Sequence, residues 1–352
     1  MATIEDQSID CIVTTPPYWH LRQYKADGIT IEDEKLGESV GVAGVMVSCN
    51  VFVKFAHAYT DSEGRYKISV PFSEKVRYRL VFSNRQGFDI GFNMLLVPAS
   101  VSALGTNPAT GVNLEINSKS DRKLFCRAAV NNACYDYYSS CKTDDGDMSL
   151  PPSGLRIWLF QSLASSSTVM LQHGAVIDND LVKKYLGEYA GIIKTFLPDV
   201  TLGMKGRETY SEIYAEACHE MAHASHFAVA GSGFWDKFIY YILKSYVTNG
   251  GLVYGLGDGK YSGHCEVGEM WAYYVENAMF RDRYGADAPT WGLSFWFSPH
   301  TLLYLDERGL GRYDIFAALG ADVDSSESLR DRLMELYPGF ESIVEQAFAR
   351  YR

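Results

Sequence analysis

Period-two alternation dominates the first third of the chain. Val51, Val53 and Phe55 fall on one side of an extended chain, with Phe52, Lys54 and Ala56 on the other. The pattern is cleaner in VRYRLVF, where Val76, Tyr78, Leu80 and Phe82 interleave with Arg77, Arg79 and Val81. Alternation rich in β-branched and aromatic residues predicts half-buried strands. Between them TDSEGRY (Thr60 to Tyr66) supplies Asp61, Ser62 and Gly64 for a turn, ahead of a further strand in YKISV. Several short strands at this spacing, from about Gly41 to Ile116, suggest a small antiparallel sandwich.

Past about Lys119 the period changes. LRIWLF (Leu155–Phe160) follows Pro151, Pro152 and Gly154 and reads as a buried strand, and Val200–Met204 as another. Residues 179–196 have helical spacing through Leu181, Tyr185, Tyr189 and Ile192, ended by Pro198. Thr209 and Glu212 form a capping-box pattern that opens a strong helix running to about Gly231. Trp235–Val247 and Cys265–Arg281 predict two more helices. The expectation is therefore an α+β protein: a separate segment over 1–35, an antiparallel β-sandwich over 36–118 and a mainly α-helical domain over 119–352. A chain of 352 residues has ample length for two domains.

Hydrophobic residues make up 47% and charged residues 21%, the balance of an ordinary globular chain. The net charge of −11 lowers the expectation of nucleic-acid binding, which usually needs a basic face. No stretch approaches ~18 consecutive apolar residues, so no spanning helix is predicted. The amino terminus has no positive n-region or apolar h-region, so no secretory signal is read there. The seven cysteines form no CxxC pair and read as buried free thiols, although Cys126, Cys134 and Cys141 are close enough in sequence for one bridge. Aromatic residues reach 14%, with 24 Tyr, a surplus that composition alone does not explain.

The chemistry is concentrated in the helix after Thr209. His219, Glu220 and His223 spell HEMAH, which places two imidazoles one turn apart on one helix face, within reach of a single ion. Glu220 is then positioned as general base for a metal-activated water. A third His six residues after His223 would mark another class of zinc site, but that position is Val229. A Glu on a later helix is the other solution, and GHCEVGEMWAYYVEN offers Glu269, followed by a bulky apolar turn, with Glu266 and His264 as alternatives. His226 and His264 are candidates to orient a ligand or line the cleft. Tyr273, Tyr274, His264 and His300 are candidates to donate to a developing oxyanion.

Three resemblances follow from particular strings. Residues 6–24, DQSIDCIVTTPPYWHLRQY, resemble the catalytic motif of amino-group DNA methyltransferases, with Thr15, Pro16, Pro17 and Tyr18 at the tetrad that grips a flipped base. No glycine loop for the methyl donor accompanies them, so the segment reads as a fused or chance leader without that activity. Residues 36–116, with GVAGVMV, TDSEGRY and VRYRLVF, resemble the carboxypeptidase regulatory-like, transthyretin-type β-sandwich. The string YAEACHEMAHASHF resembles zinc metallopeptidases of Bacteroidetes in which such a helix follows such a sandwich. That likeness implies a zincin-like fold, zinc at His219 and His223, Glu220 as base, a peptide or protein substrate and an extracytoplasmic, often lipid-anchored location. The reading is thus a zinc peptidase of gluzincin type. Its rival is a surface binding protein whose zincin domain keeps metal but turns over little.

Overall fold

The computed structural model describes residues 28–72, 75–91, 99–144, 146–174 and 198–351. The methyltransferase-like segment, Cys11 and the helix expected over 179–196 lie outside the described residues. The architecture is α+β, with most strands in the N-terminal half and most helices in the C-terminal half.

In chain order the first half contains β1 (Ile29–Asp33), β2 (Glu38–Gly41), β3 (Val45–Val51), β4 (Lys54–Tyr59), β5 (Val76–Asn84), β6 (Phe88–Ile90), β7 (Val101–Asn107) and β8 (Leu114–Ile116). Helix α1 (Arg122–Ser140) follows, then β9 (Lys142–Thr143), β10 (Gly146–Asp147), β11 (Leu155–Phe160), β12 (Ser167–Thr168) and β13 (Val200–Gly203). The rest is helical: α2 (Tyr210–Thr248), α3 (Ser262–Tyr284), α4 (His300–Asp306), α5 (Arg312–Ala317), α6 (Ser326–Leu336) and α7 (Glu341–Arg350).

The largest sheet runs β12-β13-β11-β6-β5-β3-β4, and β7 also pairs with β5. The alternation in VRYRLVF is realised in β5, where Val76, Tyr78, Leu80 and Phe82 are buried and Arg77 is exposed. LRIWLF lies between parallel partners, β6 and β13, where burial on both faces accounts for its near-continuous apolar run. The expected TDSEGRY turn forms, with Asp61 Oδ1 accepting from the backbone N–H groups of Glu63 and Arg65, each at 2.9 Å.

Two details depart from the sequence reading. YKISV is not a strand: β3 and β5 are flanked on both sides by other strands, and the segment does not add to the free edge of β4 or β7. The alternation through Val51–Ala56 crosses a hairpin: β3 ends at Val51, β4 begins at Lys54, and the two residues pair. Paired residues share a face, so the two-residue connection exchanges odd for even positions: Val47 and Cys49 are buried on β3, and Ala56 and Ala58 are the less exposed positions of β4. Val51 and Phe55 therefore do not share a face as the alternation suggests, and Phe52 makes the turn with a φ of 48° in place of the usual Gly or Asn.

Helix α1 is also poorly marked in sequence, because its buried face includes Asn131 and Asn132, which interrupt the apolar stripe. Asn131 Nδ2 donates to Ala43 O at 2.8 Å, and Asn132 Nδ2 donates to Gly41 O at 2.8 Å while its Oδ1 accepts from Ala43 N at 3.0 Å. These bonds stitch the first long helix to the segment between β2 and β3. The period change near Lys119 marks where strands give way to helices, and one hydrophobic core continues across it, from Ile29, Val47 and Phe82 to Phe125, Trp271 and Leu329. The six described cysteines are buried and free, as read from sequence.

Candidate metal centre

Helix α2 starts where the sequence indicates. Thr209 Oγ1 accepts from Glu212 N, and Glu212 Oε2 accepts from Thr209 N at 3.0 Å, completing the capping box. Glu34 adds a second cap that sequence reading missed: its carboxylate accepts from Tyr210 N at 2.8 Å and from the Ser211 hydroxyl at 2.8 Å. The expected stop at Gly231 is a kink, where a φ of 74° bends the chain before the helix resumes. That bend returns Phe234, Trp235 and Phe238 onto the histidine face, so the rings of Trp235 and Phe238 lie 5.7 Å and 5.3 Å from that of His223.

Helix α3 packs along α2. Trp271 Nε1 donates to Ala222 O at 3.2 Å, in the turn between the two metal-ligand candidates. Gly268 permits the approach, since a Cβ there would lie 2.7 Å from the Phe238 ring. The next residue, Glu269, is thereby presented to His219 and His223.

These side chains converge. One ligand atom from each of His219, His223 and Glu269 lies within 4.8 Å of the others, and all three residues are buried. The two Nε2 atoms are 3.2 Å apart. Nε2 of His219 is 3.4 Å from Oε2 of Glu269, and Nε2 of His223 is 3.5 Å from Oε1 of Glu269. Donors held ~2.0–2.1 Å from one tetrahedral ion are separated by about 3.3 Å, and these spacings lie close to that. Oε2 of Glu269 is buried and accepts no hydrogen bond among the described residues, which is the condition of a group awaiting a cation. The donor set therefore fits a metal ion.

A carboxylate absent from the sequence reading orients the first histidine. Glu276 is buried, and its Oε2 lies 3.1 Å from His219 Nδ1. A carboxylate accepts, so Glu276 draws a proton to Nδ1, and Nε2 is the nitrogen that faces His223 and Glu269. Thr290 donates to the other oxygen of Glu276 and holds it in place. The available signal was spacing: Glu276 lies two helical turns after Glu269, on the same stripe of α3. Glu276→Gln, which removes the negative charge behind the imidazole, is expected to weaken metal affinity by about 10–100-fold. Competition with a fluorescent zinc chelator measures this, and an unchanged affinity would mean that Glu276 is structural only.

Glu220 lies on the same helix turn, buried, with its Oε2 accepting from the Thr168 hydroxyl at 2.6 Å. Thr168 is on β12, the terminal strand of the large sheet, and its own carbonyl accepts from Trp235 Nε1 at 2.9 Å. Burial pushes the Glu220 carboxyl up to about 8, against the opposing charge of His219. Burial alone would also lift Glu269, but His223 and His219 hold it down at about 2. His219 is lowered by burial yet raised well above the ordinary histidine value by Glu269 and Glu276. His223, with less carboxylate around it, is lowered by burial.

The other sequence candidates separate. Tyr273 belongs to the site: its ring lies 4.5 Å from that of His219, and its hydroxyl is 3.0 Å from that of Tyr254. Tyr254 is a further site residue that sequence reading missed. His226 is fully buried between Phe234 and Trp235, with both ring nitrogens unpartnered among the described residues, and burial lowers it to about 3. His264 is turned elsewhere, 3.9 Å from Asp324 and packed on Phe234. Glu266 faces away too, accepting from Ser326 N at 2.9 Å at the start of α6. Tyr274 donates to Asp306 at 2.7 Å, and His300 stacks on Trp291.

No protein-family model, curated protein or solved structure matches the chain. The chemistry of the site is therefore read from its own residues.

Proposed function

We propose that this chain is a zinc-dependent peptidase of gluzincin type, with residues 119–352 as a zincin-like domain and 36–118 as a carboxypeptidase regulatory-like β-sandwich. The observation that carries the reading is the buried triangle of His219, His223 and Glu269 with Glu220 beside it. His219 and His223 on α2 and Glu269 on α3 would hold the ion. Zinc supplies Lewis-acid polarisation of a carbonyl and of a water when bound. Thr168 donates to Oε2 of Glu220, which leaves Oε1 as the atom that takes the proton of the attacking water and later passes it to the departing amine. Tyr273 and Tyr254 share one hydrogen bond between two hydroxyls, so one O–H remains to stabilise charge on the substrate's carbonyl oxygen. The substrate class is a peptide or protein, not nucleic acid. A periplasmic or cell-surface location follows from the family likeness, and no helix among the described residues is long and apolar enough to cross a membrane.

Metal analysis and cleavage of a mixed peptide library test this reading together. Wild type and Glu266→Ala are expected to retain zinc, and Glu269→Ala to lose it. The reverse pattern would overturn the choice of ligand. Zinc bound by the wild type with no cleavage of any peptide would leave the binding-protein reading.

A further inference from the structure

We propose that the β3–β4 hairpin is a membrane-contacting element that places its apex in the surface of an anionic lipid bilayer. The connection consists of Phe52 and Val53, which are 87% and 91% exposed. Phe55, the second residue of β4, is 67% exposed. Two-residue hairpin connections are ordinarily polar or glycine-rich, because a side chain there gains no burial and resists positive φ. Here a phenylalanine occupies the strained position with a φ of 48°. Three large apolar side chains, 67% to 91% exposed and gathered at one tip, mark a contact site rather than scattered exposure.

Charge decides the occupant. The protein carries a net −11, yet none of the paired strands β3, β4, β5 and β7 contains an acidic residue. Lys54 flanks the apex, with its ammonium 4.8 Å from the Phe72 ring. Arg77 is exposed on β5, opposite Asn50, which is itself opposite Phe55. Lys75, also exposed, precedes that strand. An apolar apex with cations set just behind it matches the layering of a bilayer surface, where apolar side chains enter the headgroup–acyl boundary and Lys and Arg meet anionic headgroups. A second copy of this chain is a poorer occupant, since a two-fold contact between two apices would set Lys54, Lys75 and Arg77 against the same cations of the other copy.

Flotation of the full chain with vesicles tests the proposal. One set is phosphatidylcholine alone and the other an equimolar mixture with phosphatidylglycerol. The wild type is expected to float with the anionic vesicles, less so as salt is added, and little with the neutral ones. The double variant Phe52→Ser/Val53→Ser should lose at least about tenfold in partitioning. Lys54→Glu/Arg77→Glu should lose a similar factor on anionic vesicles only. Both pairs are exposed, so thermal melting should report unchanged folding. No binding of the wild type to either vesicle, or equal binding by the apex variant, overturns the proposal. Sedimentation equilibrium without lipid showing a dimer that the apex variant dissolves would assign the surface to self-association instead.

Discussion

Glu220→Gln is expected to reduce peptide cleavage by about 10²–10⁴-fold while leaving the bound metal in place. Gln keeps the volume of Glu and can still accept from the Thr168 hydroxyl, now 2.6 Å from the carboxylate, so the fold around residue 220 has no reason to move. What it loses is basicity at the other oxygen. The proposed ligands His219, His223 and Glu269 are untouched, so zinc stoichiometry by elemental analysis should match the wild type. The diagnostic result is the split: retained metal, retained melting temperature and collapsed kcat. Cleavage at the wild-type rate would remove Glu220 from the chemistry and, with it, the main reason to favour an enzyme over a metal-bearing binding protein.

Arg283→Met is expected to cost about 3–5 kcal/mol of folding stability, the largest structural effect foreseen for a single side chain outside the metal centre. Arg283 lies near the end of α3, the helix that carries Glu269. Its guanidinium donates to Asp33 at 2.9 Å and 3.2 Å and to Asp136 at 3.2 Å, linking α3 to β1 and α1. Asp33 is fully buried and also accepts from the Tyr284 hydroxyl at 3.0 Å. The guanidinium stands 5.1 Å and 5.0 Å from the rings of Tyr210 and Tyr214, so part of the tyrosine surplus is a cage for this cation. Met retains length and apolar contact but leaves Asp33 as a buried charge without its counter-ion. Urea unfolding gives the loss directly. A second change, Asp33→Asn, should restore part of it, because the orphaned charge and not the missing contact dominates. A loss below about 1 kcal/mol would mean that hydrogen bonds alone satisfy Asp33.

Both predictions depend on residues whose legibility in the sequence differs sharply. His219, Glu220 and His223 could be read directly because helix geometry alone places positions i and i+4 on one face. Glu269 could be read only as one of three candidates within a single turn and a half of α3. Local geometry permits Glu266, Glu269 or His264 to be the ligand, and the packing of α3 on α2 decides among them. That packing runs through Trp271 and Gly268, and it sends Glu266 to Ser326 and His264 toward Asp324. Thr168, Tyr254 and Glu34 were not legible at all, since each meets its partner from a distant part of the chain and carries no local signature. The hairpin at Phe52–Val53 was hidden for another reason: both connecting residues are apolar, so no Gly, Asn or Asp marks the turn.

Taken by itself, the amino-acid sequence determined what depends on neighbours within a few residues. It specified the α+β order, the alternation of β5, the capping box of α2 and the pair of imidazoles one turn apart. Tertiary structure alone decided which carboxylate completes the triangle, which one orients His219 and which hydroxyl holds Glu220. It also decided that strands and helices on either side of residue 119 share one core. The physical reason is range: hydrophobic period and capping are local terms, whereas a metal centre is closed by side chains brought together only when helices dock.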